Sequence, residues 1–423
     1  MSTGGAFARA DDPRGRDDGL GWVSRALFAD ERVRLSLSTR PDAVSGWRAV
    51  GRFAVLPDVS RARFLLPLGS PRITAASVLS YNALRGRGTR FARSVLGGLA
   101  RAGVAELPVR RVLTVHVPSD VDSRELFVVH HLTDALGTGP LQAAIGVRPP
   151  DPHHKPTVQL FDRDGRPRGY AKVGWNGATR TLVRAEMAAL AALPHTEHGD
   201  YPLVPRLRHG GEWAGRTIAV IAPLPAGVRR VPRPQWPYPS AMLAVARRNG
   251  PPAAGRPLAG SGYLTGLTDR AEGAVAAGCG AAARAVRAVR ALDRRYGSTT
   301  VEFGAWHGDW VPWNLGTHEG RLVAWDWEHS TSDVPVGFDL AHHAFQRALT
   351  LDGRPAAGAT RAAADALGQH GAALGLGREQ QGLVLDAYLV ELWLRTWTLA
   401  AGGAGWNAHL HPALLNVLDT RLR

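Results

Sequence analysis

The chain has very little cysteine and no long apolar run. One cysteine, Cys279, occurs in 423 residues. This excludes an internal disulfide framework and favours a reducing compartment, so the sequence predicts a cytoplasmic protein. No apolar run reaches the ~18–20 residues of a membrane span, and residues 1–18 lack the apolar core of a signal peptide. We therefore expect no membrane partner.

Lysine is also scarce. Of the 51 basic residues only Lys155 and Lys172 are lysine, and the formal net charge is +15. Such an excess of positive charge can indicate nucleic-acid binding. The arginines are spread along the whole chain, however, and the abundance of alanine, glycine, arginine and proline is the bias of a GC-rich coding sequence. A nucleic-acid partner is therefore not expected.

Two short segments combine side chains suited to phosphoryl transfer. Residues 307–314 read HGDWVPWN, and residues 325–328 read WDWE. Asp309 and Asn314 are five residues apart, and a hairpin after Asn314 would return Asp326 to its neighbourhood. Carboxylate and amide oxygens are hard ligands that suit Mg²⁺, and a second carboxylate can orient or deprotonate a hydroxyl group. Asp and Asn in such loops are also common turn formers, but the full set at this spacing favours a site.

These segments resemble the catalytic loop and the metal-binding segment of the aminoglycoside phosphotransferase-like family, which is related to the protein kinases. The family pattern is H-G-D-x-x-x-x-N followed by a hydrophobic-D-x-E segment, and the chain has both without a departure. The resemblance implies that Asp309 is the catalytic base and that Asn314 and Asp326 hold Mg²⁺, with ATP as the second cofactor. His307 and Glu328 are supporting residues, and on a strand Glu328 would share a face with Asp326.

The rarity of lysine draws attention to Lys172. Residues 157–161 and 168–174 flank the turn sequence DRDG, which is a strong hairpin signal. A lysine on the second strand resembles the kinase lysine that contacts the α- and β-phosphates. Apolar residues in 182–190 recur at helical spacing, and the resemblance implies that Glu186 on this helix pairs with Lys172. The alternative for Glu186 is an exposed helix glutamate.

The loop 146–155 takes the place of the kinase phosphate loop but lacks its glycines. Its cationic side chains either contact phosphate or form a solvated loop stiffened by prolines, and the second interpretation is favoured. Two further strands are expected at 204–207 and 216–222, joined through 210–215.

Residues 223–227 resemble the linker between kinase lobes, where backbone groups bind the adenine edge. Proline has no backbone N–H to donate. Leu224 and Ala226 are therefore the residues between Pro223 and Gly227 that keep one, and they are the expected adenine contacts.

The rest of the chain is predicted to be mainly helical. Residues 229–262 are expected to be irregular, 263–296 helical, and 376–422 two helices around a glycine-rich break. In 336–345 an Asp-Leu pair resembles the family's helix under the catalytic loop, so Asp339 either braces that loop or caps the helix.

His342 and His343 follow on the same helix. Because they are adjacent, they point in different directions. With no third ligand at helical spacing, they do not predict a zinc site.

The predicted fold is α+β and bilobal, like that of the protein kinases. Residues 1–19 are expected to be disordered, 20–138 to form an N-terminal α/β extension, 139–228 an antiparallel-sheet lobe, and 229–423 a mainly helical lobe. Within the extension, short strands are expected at 53–57, 63–67 and 113–116, and a helix at 75–107. A basic patch in this region either recruits an acidic partner or is a solvated face, and it comprises Arg85, Arg87, Arg90, Arg93, Arg101, Arg110 and Arg111.

The predicted function is ATP- and Mg²⁺-dependent transfer of the γ-phosphate to a hydroxyl group of a small molecule. One alternative is a peptide Ser/Thr kinase of a ribosomal-peptide pathway, with residues 1–138 docking the peptide. Another is a non-catalytic nucleotide-binding regulator. The complete set of motif residues argues against the regulator. The sequence does not identify the acceptor.

Overall fold

The structure is a computed structural model that describes residues 12–38, 45–79, 111–195, 199–231, 238–250, 254–405 and 407–423. Its described residues form two compact units, one from residues up to 184 together with 205–226, and one from 185–204 together with 227–423. The first unit is built on a large antiparallel sheet and the second is mainly helical, which confirms the predicted α+β class. No helix in the described ranges is long and apolar enough to cross a membrane.

One sheet organises the first unit. Its strands are β1 (Arg34–Ser38), β2 (Trp47–Leu56), β3 (Phe64–Pro67), β4 (Val112–Pro118), β5 (Gln142–Gly146), β6 (Thr157–Phe161), β7 (Pro167–Gly174), β8 (Leu207–Trp213) and β9 (Arg216–Ile221). They pair in the order β1-β4-β2-β3-β5-β6-β7-β9-β8, with all neighbours antiparallel. The helices are α1 (Gly19–Leu27), α2 (Pro71–Leu79), α3 (Ser123–Leu126), α4 (Val128–Leu136) and α5 (Gly177–Ala192), the last of which continues into the second unit.

The N-terminal strands and the strands of the predicted small lobe share this sheet. The junction is the pair β3–β5, with Leu65 opposite Ile145. A single apolar cluster extends from Leu20 on α1 through Leu65 to Val173 on β7 and Ile218 on β9. The alternation of buried and outward residues along these strands explains why one face collects this core.

The hairpin of β8 and β9 differs from the expected strand positions. The sequence interpretation placed a strand at 204–207 and a connection at 210–215. The structure instead begins β8 at Leu207 and leaves only Ala214 and Gly215 between the strands, with φ of 46° and 72°. Two successive positive φ values suit the twist of a tight hairpin. Gly210 and Gly211, expected in the connection, pair within β8 instead, because an extended glycine still offers its N–H and C=O groups to the ladder.

Most of the basic patch lies outside the described residues, as does the greater part of the helix expected at 75–107. The first residues of that predicted helix are observed at the end of α2. Arg111 is described, and its Nη1 donates to the carbonyl of Leu37 at 3.3 Å.

In the second unit, helices surround a few short strands. The strands are β10 (Arg229–Arg230), β11 (Arg256–Pro257), β12 (Thr300–Val301), β13 (Phe303–Trp306), β14 (Leu315–His318), β15 (Arg321–Ala324) and β16 (Thr331–Pro335). The helices are α6 (Pro239–Ala246), α7 (Gly262–Ala276), α8 (Ala282–Tyr296), α9 (Phe338–Thr350), α10 (Ala356–His370), α11 (Arg378–Leu399) and α12 (Leu410–Arg421). The two C-terminal helices confirm the prediction for 376–422. The helical stretch expected at 263–296 is instead divided into α7 and α8 near Gly278, whose φ is +79°.

The strand connections bring two loops together. The antiparallel pairs are β14 with β15 and β13 with β16. Residues 307–314 connect β13 to β14, and residues 325–330 connect β15 to β16. Each loop runs between the same two strand pairs. HGDWVPWN and WDWE therefore lie next to each other where these pairs are joined.

Candidate active site

Asp339 fastens the start of the HGDWVPWN loop. It lies in the first turn of α9, after Gly337 at the N-cap, and its side chain is buried. Its Oδ2 accepts from the backbone N–H of His307 at 2.8 Å, and its Oδ1 accepts from that of Gly308 at 3.1 Å. Burial raises the pKa of Asp339 to about 7, although the two N–H donors act in the opposite direction. The carboxyl group therefore bonds to loop backbone and leaves the helix N-cap to glycine.

Gly308 can be replaced by no other residue without displacing the loop. Its φ is +82°, and a Cβ atom at this position would lie 2.1 Å from the carbonyl oxygen of His329. Both observations require glycine. The carbonyl of Gly308 accepts from Nη1 of Arg395 on α11 at 2.6 Å. The loop is thus held at an N–H and at a carbonyl of the same residue.

The carboxylate of Asp309 is bonded at both of its oxygens. Its Oδ2 accepts from Nδ2 of Asn314 at 2.8 Å, and its Oδ1 lies 2.9 Å from Nε2 of His342. Burial alone would raise the pKa of Asp309, but the hydrogen bond from His342 brings it below its ordinary value. The side chain keeps 27% of its exposure, so an ionised carboxylate remains accessible to a bound substrate.

His307 joins the two loops. The imidazole is fully buried, and burial lowers its pKa to about 4. Its Nδ1 accepts from the backbone N–H of Asp309 at 3.1 Å, so the proton of the neutral ring is on Nε2, which donates to the carbonyl of Trp325 at 3.1 Å. A second link is the N–H of Trp325, which donates to the carbonyl of Asn314 at 3.1 Å.

The acidic segment meets a carboxylate from α5. Oxygen atoms of Glu186, Asp326 and Glu328 all lie within 4.8 Å of one another. Glu186 is buried, with 1% of its surface exposed. Three carboxylates at this separation repel unless protons or cations offset their charge.

The local backbone at Asp326 is unlike the expected strand. Strand β15 ends at Ala324, and Asp326 has φ of +71°. The expectation that Glu328 shares a strand face with Asp326 is therefore wrong. Asp is among the residues that tolerate this left-handed conformation, which still costs about 1–3 kcal/mol outside glycine. The bend, in place of strand alternation, directs both carboxylates to one point.

The remaining predicted residues lie in the first unit. Lys172 is on β7, opposite Thr157 on β6 and Ala219 on β9. Leu224 and Ala226 follow directly after β9. The predicted pairing of Lys172 with Glu186 and the predicted adenine contacts stay predictions.

Two side chains that follow β7 hold the loop 146–155 through its backbone carbonyls. Nε1 of Trp175 donates to the carbonyl of His154, and Nδ2 of Asn176 donates to that of Pro152, both at 2.9 Å. These two donors precede α5, so they tie the loop to the end of β7.

Sequence reasoning missed three residues of the site, namely His342, Tyr388 and Arg395. His342 follows Asp339 by three positions and therefore lies on the same face of α9. Since Asp339 was expected to brace the catalytic loop, that spacing was a usable signal. Tyr388 and Arg395 are on α11, far along the chain, and no local pattern relates them to the loop.

Comparison with known proteins gives likeness of structure alone. No known family pattern and no curated protein matches the chain. The chain is similar to a thermostable mutant of aminoglycoside phosphotransferase APH(4)-Ia, with 15% identity and a TM-score of 0.46 over 70% of this chain and 98% of that chain. It is also similar to choline kinase LicA from Streptococcus pneumoniae, with 14% identity and a TM-score of 0.41 over 63% and 89% of the two chains.

A macrolide 2'-phosphotransferase of type I is similar at 15% identity, with a TM-score of 0.40 over 69% of this chain and 95% of that chain. At identities and scores this low, the three likenesses carry no argument about the function of this chain. The functional inference depends on the residues of the site.

Proposed function

We propose that the protein is an ATP- and Mg²⁺-dependent phosphotransferase that moves the γ-phosphate to a hydroxyl group. The observation that carries this proposal is the state of Asp309. Its carboxylate is held by Asn314 within the loop, it is partly exposed, and its pKa lies below the ordinary value. An ionised, oriented carboxylate is what a hydroxyl nucleophile needs beside it.

The oxygen ligands nearby fit Mg²⁺. The amide nitrogen of Asn314 donates to Asp309, so the amide oxygen is the atom that Asn314 can offer to a metal ion. Asp326 adds a carboxylate, and Glu186 and Glu328 lie within 4.8 Å of it. This is an oxygen-only set with excess negative charge, which suits a hard divalent cation. When bound, the ion would neutralise charge on the phosphates.

The residues of the chain then have distinct tasks. Asp309 orients the acceptor hydroxyl and receives its proton as the oxygen attacks the γ-phosphorus. The bond from that phosphorus to the bridging oxygen breaks, and ADP leaves with the electron pair. Lys172 is proposed to contact the phosphates and Leu224 and Ala226 the adenine edge. Most of the rate enhancement in such reactions comes from positioning and charge neutralisation.

The proposed acceptor is either a small molecule or a peptide. Deleting residues 1–138 would not separate these alternatives, because the N-terminal strands share one sheet and one core with the strand of Lys172. The acceptor must be identified with the full chain.

The test is transfer of labelled γ-phosphate from ATP with Mg²⁺ to polyols, sugars, amino alcohols and Ser/Thr peptides. We expect a phosphorylated product with at least one class, formed at least about 10²-fold more slowly by Asp309→Asn. Labelled product formed equally by both proteins would contradict the proposal. Nucleotide binding with no transfer to any class would favour the non-catalytic regulator.

A further inference from the structure

His342 lies at the centre of a buried polar chain that the proposed reaction does not explain. Its imidazole is fully buried on α9. Nε2 lies 2.9 Å from Oδ1 of Asp309, and Nδ1 lies 3.1 Å from the hydroxyl of Tyr388 and 3.5 Å from Nη2 of Arg395. Both partners of Nδ1 belong to α11.

These contacts determine where the imidazole proton is. A guanidinium group has donors and no acceptor, so Nδ1 must be unprotonated to face Arg395. The hydroxyl of Tyr388 can turn its proton to the same nitrogen. The single proton of a neutral His342 is therefore on Nε2, and it is donated to Asp309. Burial lowers the pKa of His342, in agreement with a neutral ring.

The donor from His342 completes the orientation of the Asp309 carboxylate. Asn314 holds one oxygen from within the loop, and His342 holds the other from α9. Rotation of the carboxylate about its last bond would break both hydrogen bonds. The lone pairs that remain are therefore presented in a fixed direction at the exposed side of the residue.

We propose that His342 is a positioning residue for Asp309, fixed as the Nε2–H tautomer by Tyr388 and Arg395. It orients the carboxylate for the acceptor hydroxyl and does not receive the proton that Asp309 takes, because its Nε2 already carries one. This inference depends on the proposed function only for its kinetic consequence. The tautomer itself is a property of the folded protein.

The first measurement is independent of activity. Long-range ¹H–¹⁵N correlation spectra of the full chain with ¹⁵N-labelled histidine report the tautomer, and the His342→Gln variant assigns the signal by its loss. We expect a neutral ring with a protonated Nε2 and an unprotonated Nδ1 at neutral pH. A protonated Nδ1, in the other tautomer or in an imidazolium, would overturn the inference.

The second measurement is kinetic. His342→Leu removes the donor, and a carboxylate misplaced by about 1 Å can cost about 10²-fold in rate. We expect kcat to fall by about that factor while KM for ATP is unchanged. His342→Gln keeps an N–H near the position of Nε2 and should recover most of the loss, which a merely structural role would not predict.

Tyr388→Phe tests whether the contact from Tyr388 to Nδ1 of His342 contributes to catalysis, and Tyr263→Phe is its control. Tyr263 is also buried, and its hydroxyl donates to the carbonyl of Ala387 on α11 at 3.2 Å. Both variants lose one buried hydroxyl, but only Tyr388→Phe removes a donor to Nδ1 of His342, so only this variant should lower kcat. The tautomer should be retained, because Arg395 still faces Nδ1 and Asp309 still faces Nε2.

Wild-type kcat in a folded His342→Leu protein would overturn the inference even if phosphate transfer is real. If the wild type transfers phosphate to no acceptor, the proposed function fails, and the tautomer measurement still decides the position of the proton.

Discussion

The HGDWVPWN loop of the second unit and the Lys172 hairpin of the first are held in different ways. Each anchored position of the loop has its own side-chain partner: Asp339 for two N–H groups, Arg395 for a carbonyl and His342 for a carboxylate. The Lys172 strand is held by a backbone ladder to β6 and β9, which most residues can form. Changes in the loop should therefore affect chemistry and stability together, whereas a change of Lys172 should affect nucleotide affinity more than the fold of its strand.

A large effect is expected from Asp326→Asn. This change removes one carboxylate of the proposed metal site but keeps a residue that tolerates positive φ. Since a catalytic metal ion contributes several kcal/mol, we expect kcat to fall by about 10³-fold. Steady-state assays over a range of Mg²⁺ concentration measure it.

Asp333→Asn is the matched control, because Asp333 is an exposed aspartate with φ of +62° on β16. Equal activity of the Asp326 and Asp333 variants would exclude Asp326 as a metal ligand.

Gly308→Ala should destabilise the second unit more than Gly320→Ala. Both glycines have φ near +80°, but nothing lies within 4 Å of a Cβ at Gly320, whereas one at Gly308 would meet His329 at 2.1 Å. The shared cost of positive φ is about 1–2 kcal/mol. The clash should add about 1–3 kcal/mol for Gly308. Urea unfolding of both variants gives the difference, and equal stabilities would show that the loop is not tightly fixed.

Lys172→Ala should raise KM for ATP with little change in kcat. A hydrogen bond to a charged group is worth about 1.5–3 kcal/mol, so an increase of about 10–100-fold is expected. Lys172→Arg should recover only part of this, because a planar guanidinium does not reproduce a compact ammonium. Lys155→Ala, which changes the other lysine, should have the smaller effect. The reverse order would place the phosphate contact in the loop 146–155.

The smallest expected effect is the pH dependence of stability that His343 contributes. Burial lowers its pKa from 6.5 to about 4, so the unfolded chain binds a proton before the folded chain does. Stability from this residue is complete above pH 6.5 and is lost as pH falls toward 4. Between pH 6.5 and 5 the loss should be about 1.6 kcal/mol.

His343→Gln tests this contribution, since glutamine keeps an N–H donor but does not titrate. Its unfolding free energy should fall less steeply over the same pH interval. An unchanged slope would mean that His343 is protonated in the folded protein.

The sequence was informative where a local pattern dictates geometry. The hairpin around DRDG was predicted and observed as β6 and β7, because turn chemistry and strand alternation act over few residues. The return of Asp326 to Asn314 was also predicted, since β14 and β15 are consecutive strands. In both cases the interacting residues are close along the chain.

Contacts between distant segments could not be predicted. The joining of β3 to β5, which merges the N-terminal strands with the Lys172 strands, depends on pairing between separate segments. The approach of Glu186 to Asp326 and the locking of His342 by α11 are also non-local. The left-handed backbone at Asp326 was missed because an Asp-x-Glu spacing is equally compatible with a strand.

The most direct test of the central claim is the rate of γ-phosphate transfer by Asp309→Asn at saturating ATP and Mg²⁺, with the acceptor found in the screen. A general base contributes about 10²–10⁴-fold. We expect the rate to fall within that range while ATP binding, measured by calorimetry, is retained. Transfer at the wild-type rate by a folded Asp309→Asn protein would contradict the assignment of this loop as the catalytic site.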